Sequence, residues 1–485
     1  MDRDVAIIGC GIVGAAVAYE LAHCELDVEV IEKENDVAMG TSRANSAILH
    51  AGYDPAPGTL MAKLNVEGLE LAKKLCGELN IPFRECGSMV IAFTEEEVEE
   101  LKRLYERGVQ NGVSGMRLLS GREALKAEPN LNGETRAALL ALSAAIVSPW
   151  EYALSLAENA VANGVKIRFD SEVTGIDRLE GGFAVHTASG TVSARCVVNA
   201  AGLNAERIHN CVAAPSFSTL PDRGEYFLLD KSEGHCVEHV IFQCPTKVGK
   251  GTLVSPTVHG NLIVGPNNET PRDASDTATT RQGLDDVAHM AKKSVPSLNI
   301  RESIRNFAGV RAATDVDDFI IRHVDDTPGF IDLAGVKSPG LTAAPAIAKM
   351  TVALLRECGL NPVEKALWTT VPRPRRFSEM DADEKRRLLA RDSSYGRVIC
   401  RCETVTEGEI RDALRSVIPP RSVDGVKRRC GTGMGRCQGG FCAPRVVDLL
   451  ARHYGVSPVR IPQDRSGMYL LTGETKTGEA LECTI

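Results

Sequence analysis

The N-terminal stretch "DVAIIGCGIVGAAVAYELA" constrains the chain more than any other. Val5 to Ile8 reads as a buried strand, the glycines as a tight turn, and the small-residue run after them as a helix. Gly9, Gly11 and Gly14 fit the spacing G-x-G-x-x-G. The first permits the turn, the second lets a pyrophosphate approach the backbone, and the third lets helix and strand pack closely. The helix start then offers N–H groups and the positive end of its dipole to phosphate. A second strand, "VEVIE", ends at Glu32, 18 positions after Gly14, where an acid holds the ribose hydroxyls of an adenine dinucleotide. This order predicts an α/β chain with a Rossmann-like dinucleotide-binding domain; the alternative is a glycine-rich structural turn. Glu32 suits FAD and NAD equally.

The next stretch, "GTSRANSAILHAGYDPAPGTLMAKLN", is long for a connection and rich in small and polar residues. Loops of this kind are functional or disordered as a rule, and this one fits against a flat ring. His50 stands within it. A lone histidine is more often structural, so His50 is only a candidate base at this point.

Further along, residues 66–130 read as helical and charged, with one strand near 87–92. Strand-and-helix texture returns over 135–215, where "CVVNAAGLNAERI" is a buried strand ending in small residues before a helix. Residues 216–300 read as an irregular sheet of a second domain. "FIDLAGVKSPGLTAAPAIAKMTVALL" gives a strand, a Gly/Pro turn and a helix whose start offers several N–H groups. The expected division is a FAD-binding or NAD-binding fold built from 1–75, 135–215 and 301–365, interleaved with an α+β substrate domain from 76–134 and 216–300. A proline- and charge-rich linker covers 366–396, its arginines reading as a solvated face. A small C-terminal domain covers 397–455, and a tail 456–485.

With 485 residues, 43% apolar and 25% charged, the chain has the composition of an ordinary globular protein of two or three domains. Net charge of −8 argues against nucleic acid as a partner. No apolar run approaches 18 residues, and the N-terminus lacks the charged and apolar regions of an export signal, so the expectation is a cytoplasmic chain with reduced thiols. Five of the fifteen cysteines fall between Cys400 and Cys442. Cys400 and Cys402 form C-x-C; Cys437 and Cys442 form C-x4-C, with Cys437 35 positions beyond Cys402. Four thiolates suit an iron–sulfur cluster or zinc, and unmetallated thiols are the bland reading. C-x-C is tight for zinc, and the glycines of "GMGRCQGGFC" offer N–H groups to cluster sulfurs. Cys430 reads as non-ligating. An iron–sulfur centre passes single electrons whereas an alcohol gives up a pair. Flavin can do both, so a dinucleotide site and a cluster in one chain favour FAD.

At this point "DVAIIGCGIVGAAVAYEL", "SRANSAILHAGYDPAPGTLMAKLN", "VVNAAGLNAERI" and "SPGLTAAPAIA" together resemble the FAD-dependent D-amino-acid oxidase/glycerol-3-phosphate dehydrogenase superfamily over roughly residues 1–365. They are most similar to the branch that holds the glycerol-3-phosphate oxidases and the catalytic subunits of anaerobic glycerol-3-phosphate dehydrogenases, with L-2-hydroxyglutarate oxidases as neighbours. The tail "ICRCETVTEGEI…GMGRCQGGFC" resembles a bacterioferritin-associated-ferredoxin-like (BFD-like) [2Fe–2S] domain. The resemblance implies cluster ligation by Cys400, Cys402, Cys437 and Cys442. It implies FAD contacts at Gly9, Gly11, Gly14, Glu32, Thr41, Ser42, Val173, Ala200, Gly202, Gly340, Leu341 and Thr342. It raises His50 to the base that accepts the substrate hydroxyl proton. It matches Lys250 and Arg311 to contacts with an anionic substrate end, the alternative for each being a surface ion pair, and puts Ser338 in the turn beside the flavin.

The expected reaction is oxidation of a small anionic secondary alcohol, sn-glycerol 3-phosphate, to dihydroxyacetone phosphate. Electrons would leave through the cluster to an electron-accepting protein or a quinone-linked partner, in a hetero-oligomer or at the inner face of a membrane through partners. One rival keeps the chemistry and changes the substrate to a 2-hydroxy acid such as 2-hydroxyglutarate, or to an amino acid. Another, of a different class, is a non-catalytic electron-transfer or assembly protein.

Overall fold

A computed structural model describes residues 1–245 and 251–476. Two eight-stranded sheets organise the first three-quarters of it. In the first, Arg3–Ile8 lies parallel to Val28–Ile31 on one side and to Gly190–Asn199 on the other, and Val28–Ile31 continues to Lys166–Arg168. Val5 to Ile8 and Val28 to Ile31 are buried throughout, as strands covered on both faces must be. On its edge away from Arg3–Ile8, Gly190–Asn199 has two partners along its length. Its first half pairs antiparallel with Gly182–Thr187, and its last three residues lie parallel to Phe330, Ile331 and Asp332. Helix Ile12–Leu21 is apolar almost all round because helices Pro149–Ala162 and Gly340–Glu357 cover its outer sides.

The second sheet runs in the order Ser303–Thr314, Thr219–Leu229, Leu262–Gly265, Leu253–Pro256, Val240–Gln243, Ser88–Ala92, Ala137–Ala141, Met116–Ser120. Its members come from three separated parts of the sequence. Helix Glu95–Gln110 packs on one end of it and starts at a capping box, Thr94 with Glu97. A three-stranded ribbon, Ile48–Leu49, Ala145–Val147 and Phe83–Arg84, lies between the large sheets and fixes the backbone just before His50.

The sheet pairing moves two boundaries drawn from the sequence. Ala137–Ala141 and Ser303–Thr314, grouped above with the nucleotide fold, pair in the second sheet. A strand has the same period of two whichever sheet it joins, so partner choice is a non-local decision. Strands Phe83–Arg84 and Met116–Ser120 are likewise additional to the one expected in 66–130.

Residues 366–396 are fastened down. Asn163, Asn159 and Asn80 hydrogen-bond the backbone at Thr369, Val371 and Arg373. The solvated-face reading of the arginines fails for two of them. Arg373 is buried and Arg376 nearly so; both reach the buried Glu151 carboxylate, at 3.4 and 3.2 Å. His259 completes that group at 3.4 Å. Burial pushes the Glu151 carboxyl up, but Arg373, His259 and Arg376 outweigh it and hold its pKa well below the ordinary range. A run of arginines reads as solvated only while its carboxylate partner, more than 200 positions away, is out of view.

The C-terminal domain is two short strands and helices Glu407–Leu414, Val423–Cys430 and Ala443–Tyr454 around a core of its own, including Ile399, Ile410, Val426, Val446 and Leu450. It docks on the nucleotide fold through Asp36, just beyond the second strand. Arg428 and Arg429 both bond that carboxylate, and Asp464 bridges Arg428 to Arg43.

Candidate active site and electron outlet

The glycine turn has the geometry its spacing predicts. Gly9 has φ of +100°, and a Cβ at Gly14 would lie 2.0 Å from Gly9 O, so helix and strand touch backbone to backbone. The helix Ile12–Leu21 has Gly11 at its N-cap, which offers no side chain of its own to its first N–H groups. Cys10 N–H donates to Glu32 Oε2 at 2.6 Å and Glu34 N–H donates to Oε1 at 3.0 Å. Each oxygen retains a second lone pair, which suits the two ribose hydroxyls. Burial pushes the Glu32 carboxyl up to about 7. A helix start with glycine at its N-cap, a glycine cradle and a buried carboxylate at the strand end fit the pyrophosphate and ribose of FAD.

The loop after the second strand is stitched to both sheets. Ser42 Oγ accepts the Ile12 N–H at 2.9 Å, and Thr41 Oγ1 donates to Val310 O at 2.7 Å. Asn45 ties the turn from within by donating to Thr41 O and Ser42 O. Ala200 N–H donates to Ile8 O, which brings the "NAAG" turn with Gly202 against the glycine loop. Val173 begins an edge strand of the same sheet and is buried. Gly340, Leu341 and Thr342 form the first turn of helix Gly340–Glu357, and that turn faces His50: the His50 N–H donates to Thr342 Oγ1 at 2.9 Å. Asn65 holds the His50 carbonyl at 2.7 Å. With its backbone clamped on both sides, His50 has its Nε2 3.2 Å from Ser338 Oγ.

These two residues open on a cavity also lined by Tyr53, Asp54, Phe242 and Gln243. The "GYDP" that follows His50 in the sequence is the signal that could have marked Tyr53 and Asp54. Phe242 and Gln243 come from the second sheet and carry no local signature. Arg311 is placed elsewhere on that sheet. Its Nη1 bonds Asp222 Oδ2 at 2.6 Å and Asn268 Oδ1 at 3.2 Å, and Tyr226 is a further partner. Asp222 sits directly opposite it in the strand pair. Burial lowers its pKa and the Tyr226 and Asp222 oxygens raise it further, so the guanidinium remains a cation. The ion-pair alternative therefore describes one side of Arg311. Lys250 lies outside the described residues.

The four cysteines meet as two pairs. Cys402 Sγ and Cys437 Sγ are 3.5 Å apart, and Cys400 shares a hydrogen bond with Cys442. That shared bond and the backbone N–H groups lower the Cys400 thiol, and the same bond with burial raises Cys442. Backbone N–H groups converge on the sulfurs: those of Gly433 and Glu403 on Cys400, those of Phe441, Gly439 and Gly440 on Cys437. A Cβ at Gly435 would lie 2.3 Å from Cys402 Cβ. Four thiols with backbone donors around them are the donor set of an iron–sulfur anion. Cys430 turns away, its Sγ donating to Val426 O at 3.3 Å within its own helix.

Comparison with known proteins agrees with both halves. Residues 4–354 match the family of FAD dependent oxidoreductases (DAO), and residues 398–452 match the BFD-like [2Fe–2S] binding domain. The chain is 47% identical over 482 residues to a glycerol 3-phosphate dehydrogenase of Caloramator mitchellensis, covering 98% of this chain and 99% of that one. It is 31% identical to the mitochondrial L-2-hydroxyglutarate dehydrogenase of Mus musculus over 71% of this chain and 86% of that one. The structure of the L-α-glycerophosphate oxidase of Mycoplasma pneumoniae with FAD bound superposes with a TM-score of 0.72 at 36% identity, over 76% of this chain and 98% of that one. The chain thus belongs to the DAO family of FAD-dependent oxidoreductases and carries a BFD-like [2Fe–2S] domain at its C-terminal end.

Proposed function

We infer that this chain is a FAD-dependent dehydrogenase that oxidises sn-glycerol 3-phosphate to dihydroxyacetone phosphate and sends the electrons out through its [2Fe–2S] centre. Near full-length similarity to a glycerol 3-phosphate dehydrogenase supports the substrate. The observation that carries the chemistry is the clamped His50, its Nε2 3.2 Å from Ser338 Oγ at the mouth of a cavity adjoining the Gly340–Thr342 turn.

FAD, when bound, supplies the acceptor for the electron pair and the means of releasing it singly. The rest is work for the chain's own side chains. His50 Nε2 takes the proton of the secondary hydroxyl, which gives carbon the electron density needed to expel hydride. Ser338 Oγ bonds that nitrogen in the substrate-free site, and the substrate hydroxyl takes its place on the single lone pair. Arg311 is the candidate for the phosphate, because its planar fork fits two oxygens at once and Asp222 with Asn268 holds it in place. Lys250 is the second candidate. The apolar wall of Phe242 lowers water content around the reacting carbon. The expected ligands of the cluster are Cys400, Cys402, Cys437 and Cys442, with Cys430 left out.

No helix among the described residues is long and apolar enough to cross a membrane. The acceptor is a separate electron-carrying partner.

Anaerobic bleaching of the flavin absorbance by a panel of alcohols tests this reading. Rapid bleaching by sn-glycerol 3-phosphate is expected. Bleaching by L-2-hydroxyglutarate or an amino acid alone would transfer the same mechanism to another substrate. Bleaching by none would leave the non-catalytic reading.

A further inference from the structure

The cluster cysteines differ in exposure. Cys400 and Cys442 are buried, Cys437 is half-buried and Cys402 is exposed. A centre held by these four opens to solvent along its Cys402–Cys437 edge, and an acceptor of single electrons has to approach that edge. Phe441 stands beside it. Its N–H is bonded to the Cys437 sulfur, and the residue is 75% exposed, although rings of this size are normally covered.

Exposed cations lie next to the cluster cysteines along the chain and on the facing sheet. Arg401 lies between the two cysteines of C-x-C, Arg436 directly before Cys437, and Arg445 three positions after Cys442; all three are exposed. From the second sheet's side, Arg305 Nη1 reaches Gln438 Oε1 at 3.5 Å and Lys231 Nζ reaches Glu403 at 2.8 Å. The acids that pair with these cations are covered. Asp230 under Arg436 and Glu403 under Lys231 have side chains only 12% and 6% exposed, while Arg436 and Lys231 are 67% and 45% exposed. Solvent therefore meets the cations and not their partners. Arg401 and Arg445 have no ion pair among the described residues. Glu302, half-buried near Arg436, Glu233, in the turn of Lys231, and Asp448, exposed further along the helix of Arg445, are acids on the same side. In a chain whose net charge is −8, exposed cations gathered beside the cluster cysteines run against the overall field.

We propose that this face docks an acidic one-electron carrier protein, one whose own redox centre lies under a rim of carboxylates. The proposal rests on the electron-outlet reading above. Each alcohol oxidised to ketone releases two electrons and two protons. Two oxidised carriers take one electron each in succession, and the protons pass to solvent. The cations steer the carrier and set its orientation, and Phe441 supplies the apolar contact at the centre, where binding energy concentrates.

The test uses holoenzyme and two one-electron acceptors of opposite charge and similarly positive potential, acidic plastocyanin and basic horse cytochrome c. The enzyme is reduced with substrate in one series and photochemically in another, and rates are normalised to flavin and cluster content. Plastocyanin should be reduced faster, its rate constant falling about tenfold or more as salt rises from about 20 to about 300 mM, as expected for opposite charges that meet by diffusion. R401E/R445E should cost about tenfold at low salt and remove that slope, whereas F441A should lower the rate and leave the slope in place. Redox-inert cadmium plastocyanin should bind the wild type in sedimentation experiments and bind R401E/R445E about tenfold more weakly.

Equal rates for the two acceptors, a flat salt profile, or an unaffected R401E/R445E variant would overturn the proposal. So would arginine-dependent binding to phosphatidylglycerol vesicles without any preference for plastocyanin. If only the photoreduced series shows the expected behaviour, the substrate assignment fails and the docking face stands.

Discussion

Asp36 Oδ2 lies 2.9 Å from Arg429 Nη1, and both side chains are buried. One residue belongs to the loop after the second strand of the nucleotide fold, the other to the helix that leads into the cluster loop. Arg428 shares the same carboxylate, and Arg373 from the connecting segment bonds the Arg429 carbonyl at 2.8 Å. Two domains whose redox groups must exchange electrons are thus joined by a buried, fully bonded ion group. Such a group adds little net stability over an apolar contact, but removing one member of it is costly.

Asp36→Asn should therefore lower unfolding stability by about 3 kcal/mol, because it leaves Arg429 buried without its charge partner and Arg428 with Asp464 alone. Chemical denaturation checks it, and electron transfer from flavin to cluster within one molecule should slow in the same variant. A variant as stable as the wild type, with unchanged internal transfer, would remove the role assigned to this contact.

The same carboxylate sets a pH window. Burial pushes the Asp36 carboxyl up, but Arg429 and Arg428 overcome it and bring it from 3.8 to about 2. Since the folded value lies below the unfolded one, its contribution is present above pH 3.8 and is lost as pH falls through about 2. At about 1.4 kcal/mol per pKa unit the contribution is about 2 to 3 kcal/mol. Urea midpoints measured downward from pH 5 should fall less steeply in Asp36→Asn than in the wild type.

His50→Ala should reduce turnover by about two to four orders of magnitude, the usual loss for a general base. FAD content, read from the visible spectrum, should stay near that of the wild type. Ser338→Ala should cost less, because the Ser338 hydroxyl leaves that nitrogen when the substrate hydroxyl binds. A His50→Ala enzyme with normal turnover would show that the proton leaves by another route.

Arg311→Lys keeps the charge and loses the fork. KM for glycerol 3-phosphate should rise by about ten- to a hundredfold, the equivalent of one or two charge-assisted hydrogen bonds. Binding of an alcohol without a phosphate, read as any flavin bleaching by glycerol, should be unaffected. Equal effects on both substrates would mean that Arg311 serves only Asp222.

Cys402→Ser should abolish the reduced-cluster EPR signal while the flavin spectrum persists, and Cys430→Ser should leave both intact. Loss of the signal in Cys430→Ser, with the fold preserved by circular dichroism, would redraw the ligand set.

The two ends of the molecule could be read from short segments of sequence. Gly9, Gly11, Gly14 and Glu32 act through backbone conformation and close approach, which fixed spacing encodes locally; the same is true of C-x-C and C-x4-C with their neighbouring glycines. Sequence was silent or misleading wherever the decisive partner lay far along the chain. Asp222 behind Arg311, Glu151 under Arg373 and Arg376, Asp36 between Arg428 and Arg429, and Phe242 in the cavity wall all belong to this class.

Sequence by itself thus determined the fold class, the dinucleotide turn and the thiolate set, because turns, helix starts and thiolate spacing are short-range geometry; the flavin and the iron–sulfur cluster followed from the need to split an electron pair and from the family those segments resemble. Tertiary structure alone decided which strands share a sheet, which arginines are buried and how the two redox domains are fastened. Burial and charge pairing depend on residues that only packing brings together, and a lone arginine in a sequence carries no mark of the carboxylate it will meet.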